Sequence, residues 1–329
     1  MKKLIENFSQ HLSEALQNIA KSNLRETDRN IANVVITGLG GSGIGGTIVA
    51  ELAAPLARVP IIVNKNYLIP DFVGENTLVI ACSYSGDTEE TLMATREALK
   101  RGAEVACITS GGTLKDLAEK ESLNCLEMTG GNPPRSMFGY SFTYLLYLLE
   151  FYGLAELSTR REIAEASALL KVEADDMHDI ARGLADKLQS RIPVIYTVNG
   201  YLGVASRWRQ QLNENAKMLA WEAEIPEMNH NELVGWEGGD ERFFPVFLRN
   251  ELDFERNQRR IEIIKEIIAT KTPHTVEVWS KGKSAIANSL YLIHLGDWVS
   301  YYLSELNQVD IMDIRSIDKL KAELSKLPL

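Results

Sequence analysis

Cysteine is scarce in this 329-residue chain: there are three, Cys82, Cys107 and Cys125, each in or beside a β-branched apolar run. A free thiol in such surroundings behaves as a small hydrophobe, and three residues without paired spacing support neither a disulfide framework nor a zinc cluster. Histidine is nearly as rare. The five at 11, 178, 230, 274 and 294 include no pair at helical metal-ligand spacing, so no metal site is expected. Long apolar runs are missing too. No segment approaches the roughly 18 to 20 residues that span a bilayer, and residues 1–7 lack the apolar core of a secretory signal. A cytoplasmic protein without a membrane partner is the expectation. Basic charge is also short: 35 Lys and Arg against 45 Asp and Glu give a formal net charge of −10, which leaves no basic face for nucleic acid. A small anion is still admissible, because a local nest of amides attracts it against the overall field.

What is present is a balanced globular composition, 45% hydrophobic and 24% charged, in a chain long enough for two cores. Residues 4–20 carry apolar side chains at Leu4, Ile5, Phe8, Leu12, Leu16 and Ile19, the period of a helix. From residue 33 short β-branched runs alternate with helical segments: strands at 34–37, 60–63, 78–82, 105–109 and 123–128, helices at 44–56, 89–101 and 114–120. Such alternation predicts a parallel sheet with helices on both faces, and the near-continuous hydrophobicity of the strands fits burial from both sides. Helical stretches follow at 138–152 and 162–188, and the pattern then begins again: strands at 192–198, 219–223, 244–248 and 275–279, helices at 201–218, 254–269, 284–303 and 316–326. The prediction is an α/β protein of two doubly wound domains, residues 1–153 and 154–329, with the long helix after the boundary able to bridge both halves.

Two loops at strand ends stand out. Gly38-Leu39-Gly40-Gly41-Ser42-Gly43 follows the first strand and opens a helix. A dinucleotide fingerprint would need an acidic residue at the end of the second strand, where Val63-Asn64-Lys65-Asn66 stands instead, and a nucleotide P-loop would need Gly-Lys-Ser/Thr. What is left is close approach of backbone amides to an anion, with Gly41 and Ser42 in contact, or tight packing of a helix on a strand. The second loop, Ser83-Tyr84-Ser85-Gly86-Asp87-Thr88-Glu89-Glu90-Thr91, lies between the third strand and its helix. Ser83, Ser85, Thr88 and the first amides of that helix form a candidate phosphate cradle; a plain N-cap at Thr88 is the competing explanation, and it leaves the two serines unexplained. Both loops fall on the carboxyl edge of the sheet, where open α/β sheets bind ligands. Asp87 is awkward beside a phosphate unless it turns away.

Taken with Pro133-Pro134-Arg135, Leu212-Asn213-Glu214-Asn215-Ala216-Lys217 and Met228-Asn229-His230-Asn231-Glu232, these loops form five blocks in order along the whole chain. Together they resemble the signature blocks of the bifunctional phosphoglucose/phosphomannose isomerases of the sugar-isomerase (SIS) superfamily. The resemblance implies two SIS domains, a homodimer with a site shared between domains and subunits, and cofactor-free, metal-free interconversion of aldose and ketose 6-phosphates.

It also implies roles for single residues. Glu214 matches the general base, and a carboxylate in a partly desolvated cleft can have its pKa raised toward a useful value; by composition alone it would be one more solvated helix glutamate. Arg135, aimed by two prolines, matches the group that steadies the enediolate, a task for a planar guanidinium rather than a lysine. His230 matches the ring-opening histidine, which acts from the neighbouring subunit in the family. Lys321 is the best match to a C-terminal lysine near the ring oxygen, with Lys319 and Lys326 as competitors. Met312 stands where relatives often carry a threonine, a departure that bears on mannose activity. Small-molecule sugar phosphates are then the expected partners. Two other readings stay open. A silent sugar-phosphate sensor would need an output module, and no helix-turn-helix or basic segment is read here. The isomerase domain of a glucosamine-6-phosphate synthase would follow a glutaminase domain, and none is read in the chain.

Overall fold

The computed structural model describes residues 1–327. It opens with helices α1 (Lys2–Glu6) and α2 (Phe8–Lys21), which meet at Asn7 where a single helix was expected. Phe8, Leu12, Ala15 and Ile19 of α2 are buried, one face of a 3.6-residue repeat. The first αβ unit then runs β1 (Asn33–Thr37), α3 (Gly40–Ala53), β2 (Ile61–Asn64), β3 (Thr77–Ser83), α4 (Glu89–Lys100), β4 (Glu104–Thr109), α5 (Gly112–Lys120) and β5 (Asn124–Glu127). Three helices follow, α6 (Phe138–Phe151), α7 (Thr159–Val172) and α8 (Ala174–Leu188). The expected boundary at 153/154 falls in the turn between α6 and α7. A second unit runs β6 (Ile192–Val198), α9 (Leu202–Ala216), β7 (Trp221–Ile225), a short helix α10 (Glu232–Gly235), β8 (Phe243–Arg249), α11 (Glu255–Ile268), β9 (Val276–Trp279), α12 (Ala285–Leu306) and α13 (Arg315–Leu324).

Both sheets are parallel throughout, in the orders β2-β1-β3-β4-β5 and β7-β6-β8-β9. Each has its switch point beside its first strand, because the chain leaves β1 for β2 on one side and returns to β3 on the other, and leaves β6 for β7 and returns to β8 in the same way. The period of two along each strand splits its side chains between layers. Val34, Ile36, Leu78 and Ile80 face the large central core, whereas Val35, Val79 and Ala81 face a second cluster under α4 and α5. In the second sheet Ile195, Val246 and Leu248 join the central core, and Val194, Tyr196 and Phe247 face α11. The two units therefore share one core, filled from α6, α9 and α12; within it Trp208 donates its indole N–H to the Leu292 carbonyl at 2.8 Å.

The expected strand at 219–223 is displaced to Trp221–Ile225, with Leu219 left 85% exposed before it. The expected continuous helix at 162–188 breaks at Glu173 into α7 and α8. Among the described residues no helix is long and apolar enough to cross a membrane.

Candidate active site

β1 and β3 are paired neighbours, so the loops that leave them meet. A Cβ on Gly38 would lie 2.7 Å from the Cys82 carbonyl, and one on Gly46 would lie 2.8 Å from Ile36 Cγ2, so the helix is pressed onto its strand as the packing alternative supposed. The same glycine run also presents an edge. Gly41 borders the Pro134–Arg135 turn, with the Arg135 Cα 3.6 Å from where its Cβ would be. Ser42 is buried over the Cys82 thiol, which burial pushes up to about 12 against the opposing Ser42 hydrogen bond, so this cysteine stays a neutral part of the floor.

In the second loop Thr88 occupies the N-cap position of α4 but its side chain caps nothing. Its hydroxyl shares a 2.9 Å hydrogen bond with that of Ser83, and the Ser83 oxygen accepts from the Gly86 amide at 3.2 Å. Ser85 accepts from the Asp87 amide at 3.2 Å and is exposed. The first-turn amides of α4 are thus left without a side-chain acceptor, beside three hydroxyl groups. Asp87 does turn away: its Oδ1 accepts from the Thr113 amide at 2.9 Å and the Thr113 hydroxyl at 2.7 Å, at the start of α5.

A third loop, Thr109 to Thr113, holds the second in place and was missed in the sequence. Gly86 has φ +77°, and a Cβ there would lie 1.8 Å from the Gly111 carbonyl, so only glycine fits. The Ser110 amide and hydroxyl both donate to the Tyr84 carbonyl, at 3.0 and 2.6 Å, and the Leu114 amide donates to Gly86 at 2.9 Å. Tyr84 in turn donates its hydroxyl to the Thr129 carbonyl and accepts from the Asn132 amide, both at 3.0 Å, which links the loop to the segment that delivers Arg135. The composition of 109–113, hydroxyls around two glycines after a strand, was the available signal.

Arg135 sits in the 3-10 turn Pro134–Met137 and is 5% exposed. All three of its guanidinium nitrogens are engaged: Nε donates to Asn215 Oδ1 at 2.8 Å, Nη2 to the Ile311 carbonyl at 2.7 Å, and Nη1 lies 3.3 Å from Glu214 Oε2. Burial pulls this guanidinium below the usual arginine range, and Glu214 opposes that effect. Glu214 is half-buried in the last turn of α9. The helix closes on Lys217 in a left-handed conformation, φ 57°, whose ammonium donates to the Glu214 carbonyl at 2.5 Å, an arrangement that suits a helix C-terminus. Arg135 thus pairs with the carboxylate, and Lys217 holds the helix end that carries it.

A buried ladder fixes this cluster. Arg207, Gln211 and Asn215 recur every four residues and so share one face of α9. Arg207 forms a two-oxygen ion pair with Asp297 of α12 (2.9 and 3.0 Å), stacks over the Phe138 ring at 4.2 Å and donates to the Arg135 carbonyl at 3.1 Å. Gln211 donates to Asp297 at 2.8 Å and Asn215 to the Ser300 hydroxyl at 2.9 Å. Removing one member of such a buried pair typically costs about 3–5 kcal/mol, because it strands the other charge. The ladder was missed in the sequence, although the lone Asp297 within an apolar helix was a usable sign.

His230 ends the turn Glu227–His230, anchored by buried Met228 below it and by Asn231, which caps α10 through the Glu232 amide. Its ring is exposed, and Lys321 is exposed on α13. Among the described residues no hydrogen bond or ion pair joins either to Arg135 or Glu214. One chain thus brings together Gly41, Ser42, Ser83, Ser85 and Thr88 as one group and Arg135 with Glu214 as an adjoining one, and among the described residues no hydrogen bond or ion pair ties His230 or Lys321 to either. The segment before α13 does reach the cluster, through the Ile311 carbonyl that Arg135 grips.

Residues 29–151 match the SIS domain model and residues 177–324 the model of the bacterial phospho-glucose isomerase C-terminal SIS domain. The chain is 39% identical over 308 residues to a bifunctional phosphoglucose/phosphomannose isomerase of Caldicellulosiruptor bescii, covering 91% of each, and 38% identical over 299 residues to one of Thermoplasma acidophilum, covering 89% of this chain and 90% of that one. Among solved structures, the C-terminal domain of glucosamine-fructose-6-phosphate aminotransferase from Francisella tularensis superposes with a TM-score of 0.75 at 14% identity, covering 94% of this chain and 96% of that one, a likeness of fold alone. Five sequence blocks, two parallel SIS-type sheets and relatives matched over nine-tenths of their length converge: the chain belongs to the bifunctional phosphoglucose/phosphomannose isomerase family.

Proposed function

We propose that this protein interconverts glucose 6-phosphate and mannose 6-phosphate with fructose 6-phosphate through an enediolate. The observation that carries the reading is the Arg135–Glu214 pair, a half-exposed carboxylate held 3.3 Å from a buried guanidinium, beside Gly41 at the mouth of the hydroxyl-lined loops. Ser42, Ser83, Ser85 and Thr88 hold the phosphate on carbon 6, with the first amides of α4 completing the seat. Glu214 removes the proton from carbon 2 of the open-chain aldose, the electron pair forms the C1–C2 double bond as the carbonyl oxygen on carbon 1 becomes an alkoxide, the proton of the carbon-2 hydroxyl passes to that oxygen, and as the carbon-2 oxygen forms the new carbonyl the same carboxyl returns its proton to carbon 1. Arg135 balances the negative charge that develops on the enediolate oxygens. Glucose and mannose derivatives differ only at carbon 2, so both pass through the same enediolate.

Ring opening moves a proton from the hydroxyl on carbon 1 to the ring oxygen, and His230, whose imidazole has one nitrogen to accept and one to donate, is the group suited to it. The lack of any hydrogen bond or ion pair between it and Arg135 or Glu214 among the described residues supports a homodimer in which a neighbouring subunit supplies it. Exposed Ile317, Leu320 and Leu324 along one side of α13 support the same assembly, since a second copy would cover them; Lys321 flanks that stripe and would assist at the ring oxygen. Three free cysteines suit a cytoplasmic setting. The deciding experiment is deuterium exchange from solvent into carbon 2 of each 6-phosphosugar: exchange into both is expected, and binding without exchange would refute catalysis.

A further inference from the structure

Helix α9 carries Glu214 in its last turn, and α3 opens with Gly41 and Ser42, so the spacing of these two helices sets the distance between base and phosphate seat. They meet by close backbone approach at Gly203. A Cβ there would lie 2.7 Å from Ile48 Cγ1, 3.1 Å from the Ile48 nitrogen and 3.2 Å from Glu51 Oε2. At this point the Gly203 amide donates to both carboxylate oxygens of Glu51, at 3.1 Å to Oε1 and 2.9 Å to Oε2.

The position has a counterpart. α9 follows β6 as α3 follows β1, each at the switch point of its sheet. In the first unit that helix start, with Gly41 and Ser42, faces the proposed ligand. In the second, the N-cap residue Tyr201 provides no side-chain acceptor, and a carboxylate from the first unit takes the place an anion would occupy.

We propose that Glu51 is a positioning residue for the isomerisation: as an internal anion on the start of α9 it clamps that helix to α3 and so fixes where Glu214 stands relative to the phosphate seat. The proposal rests on the isomerase reading above. Lys65, after β2, and Glu224, on β7, face the Glu51 carboxylate, and Arg209 of α9 and Glu222 of β7, themselves paired at 2.5 Å, face Lys65. Burial raises Glu51 to about 7, with Glu224 adding to the rise and the Gly203 amide and Lys65 opposing it. Its charge is thus exchanged near neutral pH, and protonation weakens a charge-assisted hydrogen bond.

The test compares wild type with Glu51→Gln and Glu51→Ala in two measurements, kcat and KM for fructose 6-phosphate across pH, and hydrogen–deuterium exchange of backbone amides. Glu51→Ala should lower kcat about tenfold at alkaline pH with KM within about threefold of wild type, because misplacement of the base leaves the phosphate seat intact. Glu51→Gln, which keeps the shape, should lose less and should lack the step near pH 7 in the wild-type kcat profile. Both should speed amide exchange in 201–206 and leave 83–88 unchanged. Wild-type kcat and exchange in Glu51→Ala would overturn the proposal, and so would a profile in Glu51→Gln that keeps the step. A wild-type protein with no isomerase activity would overturn the reading on which the proposal rests, whereas the exchange contrast, read without turnover, reports the clamp by itself.

Discussion

Arg135 and Glu214 are paired, Nη1 to Oε2 at 3.3 Å, and the arginine is the buried partner of the two. Its other nitrogens are committed to Asn215 and Ile311, so it cannot follow the carboxylate if Glu214 swings toward a substrate carbon. The arginine is therefore the fixed element and the glutamate the mobile one. Glu214→Gln preserves shape and removes only the proton acceptor. Turnover should fall at least about a thousandfold while the dissociation constant for fructose 6-phosphate stays within about threefold. Near-normal activity in this variant would remove Glu214 from the mechanism.

Arg135→Lys tests the fork. A lysine keeps the charge but cannot bond Asn215, Ile311 and Glu214 at once, since its three donors radiate from one nitrogen on a flexible stem. The loss should fall on kcat, by about a hundredfold, in the range found when one donor to a developing oxyanion is removed. A lysine variant with wild-type kcat would show that charge alone suffices.

The hydroxyl loop makes a different demand. Among the described residues the Ser85 and Thr88 side chains are tied only to their own loop, through the Asp87 amide and the Ser83 hydroxyl, so replacing both by alanine leaves none of those residues outside the loop unpaired. KM should rise by about tenfold or more for either sugar phosphate, as two hydrogen bonds to a charged group are lost, and thermal stability should hardly change. An unaltered KM would move the phosphate elsewhere.

The alternation of strands and helices was legible because each strand is a short β-branched run buried on both faces, and hydroxyl-glycine loops at strand ends marked the phosphate side of the site. The break at Glu173 was not legible: no proline or glycine marks it, and although both helices pack on α12, only α7 also packs on α2 and α6, so the chain turns between them. The strand at Trp221–Ile225 was misplaced since Leu219 looks like a strand residue yet is exposed before the strand begins. Pairings across long sequence separations, such as Arg207 with Asp297 or Glu51 with Gly203, leave no local trace. The lone Asp297 in an apolar helix nevertheless asked for a partner, because a buried charge is seldom left alone.

Whether His230 acts across subunits is open to complementation. If each site takes Glu214 from one chain and His230 from the other, Glu214→Gln and His230→Ala, each nearly inactive, should together regain activity after mixed refolding. Half of a random population would be heterodimers with one intact site each, so about a quarter of wild-type activity is expected. No recovery, with heterodimers verified by mass, would place both residues in the same chain's site.

Acid stability depends on His294, which lies in the core between Phe8 and Trp298. Burial lowers its pKa from 6.5 to about 3, helped by the nearby charges of His178, Arg207 and His11. The folded protein thus keeps this ring neutral, whereas the unfolded chain binds a proton below about pH 6.5. Between those two values the unfolded state holds more protons, so stability is full above pH 6.5 and is lost as the pH falls toward 3. At pH 4.5 the loss from this one group is about 3 kcal/mol, at roughly 1.4 kcal/mol per pH unit. His294→Gln keeps an acceptor for the Trp298 indole N–H, which His294 Nε2 holds at 3.3 Å, and cannot titrate. Urea midpoints at pH 7.5 and 4.5 should therefore diverge less in the variant than in wild type, by that amount; equal losses in the two proteins would show that His294 already carries a proton in the native core.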